Sequence, residues 1–115
     1  MRECAHSAPG GAWKELGNGT RRRIRSFADE MMAVEVAFDQ GGVGAVHSHP
    51  HRQITYCIRG CFHFTVAGRL VVLNEGDTLI FAANEDHGCV AQTEGVLLDV
   101  FTPLRVDFLE ADGLL

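Results

Sequence analysis

What most limits the folds open to this chain is a rhythm of short apolar–polar alternations cut by glycine-containing turns. Residues 31–38 (MMAVEVAF) set the pattern. Val34, Val36 and Phe38 alternate with Glu35 and Ala37, the period of two expected of a half-buried strand. Residues 39–42 (DQGG) turn the chain. The same alternation returns at 61–66, 69–73, 78–81, 88–91 and 95–101, with turns at 67–68 and 74–77, until Pro103 stops it. No stretch carries a convincing helical period. Short strands without helices predict an antiparallel sandwich or barrel.

The ends of the chain are less patterned. Residues 1–20 read as a leader that packs on the body through Trp13, with a turn over 17–20. The barrel is expected over 21–108 and a tail over 109–115, the tail adding at most a turn of helix. Residues 21–27 (RRRIRSF) have the look of a basic patch. Ile24 and Phe27 interleave the arginines, however, and the segment is expected to form an edge strand with solvated charge.

At 115 residues the chain is expected to form one domain, and 46% hydrophobic content makes disorder a poor description. Ten basic against 15 acidic residues give a net charge of −5, the wrong sign for non-specific nucleic-acid binding. No apolar run is long enough to span a membrane and no signal peptide is visible, so a cytoplasmic protein is expected. Cys4, Cys57, Cys61 and Cys89 are then reduced thiols. Without a CxxC pair they offer no zinc knuckle, and Cys57 and Cys89 are expected to be small core fillers.

Chemistry concentrates in residues 44–60 (GAVHSHPHRQITYCIRG). His47, His49, His51 and Gln53 fall on alternating positions. On an extended backbone these share a face, so His47 and His49 can converge on one point, with the Gln53 amide oxygen beside them. Imidazole pairs presented in this way build part of a transition-metal site. The competing reading is a solvated strand with polar residues outward. Three histidines in five residues, followed by the apolar run 54–58, make it the weaker one. His51 follows Pro50, where the strand turns, and is placed at the rim or behind the ligands.

With Gly42, His47, His49, Gln53 and Gly60, followed by Gly76 and His87, the chain resembles the cupins, a family of single-domain, all-β jelly-roll barrels. Gln53 stands where most members carry Glu. Residues 82–84 (AAN) stand where a proline is usual. The blocks HSHPHRQITYCIRG, NEDHGCV and GVLLDVFTPLRVDFL are similar to the pectin-degradation, KdgF-type cupins, which linearise 4,5-unsaturated monouronates released from pectin or alginate. The resemblance implies a divalent transition metal (Ni, Zn, Fe, Mn or Co) held by His47, His49, Gln53 and His87. It implies roles toward a small anionic sugar for Asp99, Phe101 and Arg105, and it implies a homodimer. Arg52, at a commonly acidic position, is a departure at the rim. A different metallocupin, such as a dioxygenase, and a non-catalytic sugar- or anion-binding cupin are the alternatives. Oxygen uptake separates the first of these, and decay of the uronate's ultraviolet absorbance the second.

Overall fold

The computed structural model describes residues 11–114. Residues 1–10, including Cys4, and residue 115 lie outside the described residues. Ten strands run in the order β1 (Lys14–Gly17), β2 (Thr20–Ala28), β3 (Met31–Phe38), β4 (Val43–His47), β5 (Arg52–Arg59), β6 (Cys61–Val66), β7 (Arg69–Asn74), β8 (Thr78–Phe81), β9 (His87–Ala91) and β10 (Gly95–Thr102). One helix, α1 (Val106–Ala111), follows them.

The strands form two antiparallel sheets, one ordered β1-β2-β3-β10-β5-β8 and the other β4-β9-β6-β7. Their inner faces close over an apolar core of Phe38, Cys57, Phe62, Phe64, Leu73, Phe81, Cys89, Ala91 and Leu97. Alternation does the sorting. On β5, Gln53, Thr55 and Cys57 are buried while Ile54, Tyr56 and Ile58 are exposed. A second cluster, Ile24, Met32, Val34, Phe101, Leu104 and Leu109, packs α1 against β2, β3 and β10. Fully burying side chains of this size stabilises by about 1.5–3 kcal/mol each.

Three features differ from the sequence expectations. Sheet pairing reaches into the segment expected to be a leader, because β1 pairs with β2 through Lys14↔Arg22 and Glu15↔Arg21. Residues 21–27 are therefore not an edge strand: β2 lies between β1 and β3. Their charge is not simply solvated either, since Arg22 is buried and Arg23 and Arg25 both pair with Glu35. The third difference is at the C-terminus, where α1 starts at Val106 and crosses the expected boundary at residue 108. Leu109 is its fully buried anchor.

Gly60 shows why a turn needed that residue. Its φ is +98°, and a Cβ there would sit 2.9 Å from Glu94 O and from the Gly95 Cα.

Candidate metal centre and cavity

The histidine stretch is not one strand. His47 ends β4 in the four-stranded sheet, Gln53 lies in β5 of the six-stranded sheet, and His49 and His51 sit in the link between them. Crossing from sheet to sheet brings His47 and Gln53 to the same cavity, in place of the shared strand parity expected from sequence. His47 meets His87 directly, as register partners across β4 and β9. Two local devices allow this. The β4–β9 register slips between Gly44 and His47, a bulge that re-aims the His47 side chain. Gly88 then permits the close approach, since a Cβ there would lie 2.8 Å from Gly44 O and Val46 N.

His47, His49 and His87 present ligand atoms within 4.8 Å of one another. Each ring has its Nδ1 against a backbone carbonyl two residues away: Ala45 O at 2.7 Å, His51 O at 3.0 Å and Glu85 O at 2.8 Å. A carbonyl only accepts, so Nδ1 carries the proton in each ring and Nε2 turns a lone pair toward the shared space. His87 Nε2 is buried with no hydrogen-bond partner. Phe81 stacks on that ring at 4.3 Å and fixes its plane. Burial holds the His49 and His87 imidazoles below the ordinary histidine value, in the neutral form that ligates metals.

Gln53 joins this group through a line of buried polar side chains. Thr55 Oγ1 donates to Asp99 Oδ1 at 2.7 Å, so it must accept from Gln53 Nε2, which lies 2.8 Å away. That fixes the amide: Gln53 Oε1 faces His49 Nε2 at 2.9 Å. With Nδ1 protonated, both facing atoms are acceptors, an arrangement that repels on its own. A cation between them removes the conflict. The residues present therefore fit a transition metal with three imidazole nitrogens and one neutral amide oxygen.

Asp99 lies across from Thr55 in the β5–β10 register, and Phe101 lies across from Gln53. Burial pushes the Asp99 carboxyl up to about 6, against the hydrogen bonds from Thr55 and Gln53 that act to lower it. His47, Gln53, His87, Asp99, Phe101 and Arg105 all line one cavity of about 150 Å³. Arg105 is buried, its guanidinium over the Phe101 and Phe108 rings and its Nε and Nη2 donating to Asp107 at 3.1 and 2.8 Å. Phe101 is both core and wall, 2% exposed and 5.7 Å edge-to-face from His49.

His51 stands at the rim, 5.5 Å from the His49 ring and 6.5 Å from Phe101, and its backbone carbonyl orients His49. Cys57 and Cys89 are inert fillers, with burial raising their thiols to about 11 and about 12. Two polar residues of the site, Thr55 by its hydrogen bonds and Arg22 by lining the cavity, escaped the sequence reading. Thr55 shares the parity of Gln53, which was signal enough to find it. Arg22 shares the parity of Thr20 and Ile24 but was hidden in a run of arginines.

Two antiparallel sheets closed over a histidine triad, with His49 and His87 buried and His47 exposed, define a β-barrel of the cupin kind with a candidate metal site. The chain belongs to the cupin family, whose domain matches residues 34–101. Within it the chain is 42% identical over 99 residues to the pectin degradation protein KdgF of Dickeya dadantii (strain 3937). That match covers 84% of this chain and 90% of that protein, which places the chain among the KdgF-type cupins. Two solved structures are similar throughout. An RmlC-like cupin from Shewanella frigidimarina NCIMB 400 is 41% identical with a TM-score of 0.82, over 84% of this chain and 87% of the other. The structure of KdgF from Halomonas sp. is 35% identical, also with a TM-score of 0.82, over 86% and 92%.

Proposed function

We propose that this chain is a metal-dependent enzyme of pectin breakdown that opens cyclic 4,5-unsaturated monouronates to their linear, ketonised form. The observation that carries the reading is the row of side chains His49, Gln53, Thr55 and Asp99, in which hydrogen bonds from Gln53 through Thr55 join a metal-ligand set to a half-buried carboxylate in one cavity. The 42% identity to a protein named for pectin degradation supports the substrate class.

The substrate is a hemiacetal whose ring oxygen sits on the C4=C5 double bond, beside a carboxylate. Opening it removes the anomeric hydroxyl proton, makes the C1–O1 bond a carbonyl and breaks the bond from C1 to the ring oxygen. The electron pair stays on that oxygen as an enolate at C5. Protonation at C4 then gives the 5-keto product. The proton lost from O1 equals the proton gained at C4, so the reaction is an isomerisation with no redox change.

In this cavity Asp99 takes the first proton and returns it at C4, with Thr55 holding the carboxylate in register. Arg105 receives the substrate carboxylate, a role that a chain of net charge −5 must fill locally. Phe101 forms the apolar wall that orients the ring. His47, His49, Gln53 and His87 would hold the cation, which supplies positive charge beside an oxygen that becomes anionic.

The test mixes metal-loaded protein with an unsaturated monouronate and follows ring opening by proton NMR. Wild-type protein converts the hemiacetal to the 5-keto form without consuming oxygen. Asp99→Asn stays folded and metal-loaded but loses about 10²–10⁴ in turnover. No conversion by the wild type, or near-normal turnover by Asp99→Asn, removes the reading.

A further inference from the structure

Arg22 sits where an apolar residue is expected. It faces inward on β2, between Thr20 and Ile24, and is 8% exposed, as buried as Arg105. It borders the same cavity as Asp99, Gln53 and Arg105. Its Nη2 and Nε donate to Asp112 at 2.7 and 3.4 Å, in an ion pair whose side chains are only 9% and 11% exposed. A buried ion pair carries a desolvation cost that well-packed apolar residues would avoid, so it is a poor device for merely docking a helix.

Arg105 repeats the arrangement. Each arginine spends its Nε–Nη2 edge on a carboxylate of the same C-terminal segment, Asp112 for Arg22 and Asp107 for Arg105. That leaves the Nη1 side of each fork for a ligand. Both guanidiniums also stack on Phe108, their Cζ atoms 3.9 and 4.1 Å from its ring centroid. The two carbons are therefore at most about 8 Å apart. The ring itself fills the midpoint of that span, so a carboxylate meets both forks at the edge of Phe108, on the side of the cavity that both arginines and the ring border. The partner carboxylates Asp107 and Asp112 balance the two positive charges, so a ligand anion is attracted by the unspent donors and not by a bare excess of charge.

We propose that Arg22 is a second substrate-binding arginine, acting with Arg105 as a two-guanidinium clamp that selects substrates carrying a carboxylate. This rests on the uronate reading above and names the group that would impose it. Phe108 is the positioning residue, setting the two forks by its ring.

The test compares wild-type protein with Arg22→Gln and Arg22→Lys on two measurements. The first is steady-state ring opening of the unsaturated monouronate. Arg22→Gln raises KM at least about tenfold, the loss of one charge-assisted contact, and leaves kcat within about threefold. The second is calorimetric binding of galacturonate against its methyl ester. The wild type prefers the acid, Arg22→Gln removes that preference while ester binding holds steady, and Arg22→Lys restores part of it. Should Arg22→Gln fail to fold, Arg22→Lys alone carries the comparison: a lysine point charge keeps only part of the acid preference of a two-pronged fork.

A purely structural arginine would weaken acid and ester equally, and that result overturns the proposal, as does an unchanged KM. If the wild type opens no uronate but its acid preference vanishes in Arg22→Gln, the reaction reading falls and the clamp stands. If turnover is present and the preference is indifferent to Arg22, the clamp falls and the reaction stands.

Discussion

The two ends of the barrel are made by the same strands and differ in what those strands turn inward. Along β5 the inward positions run Gln53, Thr55, Cys57, and along β10 they run Phe101, Asp99, Leu97, paired across in that order. Past Cys57 and Leu97 the interior is aromatic, with Phe38 and Phe62 meeting edge-to-face at 5.0 Å. Toward Gln53 and Asp99 it is polar, with a histidine nitrogen left without a partner. Within about two residues of strand the same pleat changes from a packed core to a site built on unresolved polar demand. One end supplies the stability that lets the other remain unsatisfied.

The sharpest way to break this contrast is to damage the aromatic end alone. Phe62 is fully buried between Phe38 and Phe64, and Phe62→Ala should cost about 3–5 kcal/mol of unfolding free energy, read by urea denaturation. Metal content of the protein that stays folded should be unchanged. Loss of metal in step with stability would mean that the two ends are one unit.

At the polar end the matching experiment is Thr55→Val, nearly isosteric at a position with no solvent exposure. It removes the hydroxyl that links Gln53 Nε2 to Asp99 Oδ1 and leaves both atoms without that partner. Turnover of the unsaturated uronate should fall about 10–100-fold, as is typical when a group that orients ligands is lost. The protein should still fold and still retain metal. Activity within about twofold of wild type would show that the line of hydrogen bonds does not connect metal and carboxylate functionally.

The apolar end was legible because its information is local. The alternation over 31–38, 61–66 and 78–81 marks strands and inward positions at once, and the structure has strands over all of them. The polar end was legible residue by residue but not in its assembly. His47, His49 and Gln53 read as one face of one strand, whereas Pro50 lies in a crossing between two sheets that no local period reveals. The slipped register between Gly44 and His47 is likewise a property of two strands together. Arg22 went unread for a different reason. Charge in the run 21–25 suggested solvent, and only the pairing of β2 between β1 and β3 shows that every second residue of that run points inward.

The outer wall gives the weakest and most discriminating case, since it places the same kinds of charge where water reaches them. Glu35 accepts from Arg23 Nε at 2.9 Å and Arg25 Nη1 at 2.7 Å on the outer face of the six-stranded sheet. Partial burial acts to raise its carboxyl, but the hydrogen bonds from Arg25 and Arg23 outweigh it and hold the group below the ordinary glutamate value of 4.5. A carboxyl depressed by folding stabilises the fold fully above pH 4.5, and that contribution is lost as the pH falls through the lower folded value. Solvent screening keeps the effect of such a partly exposed pair to about 1 kcal/mol or less. Glu35→Gln should therefore lower the Tm of the protein by a few degrees at neutral pH in low salt. The gap should narrow at about 0.5 M salt and close as the pH falls through the lowered folded value, where the wild-type carboxyl is itself protonated. A gap that persists unchanged down to the pH at which the wild type itself unfolds with acid would show that Glu35 acts by packing and not by charge. A loss as large as that of Phe62→Ala would show that exposure to water is not what separates inexpensive polar groups from costly ones in this barrel.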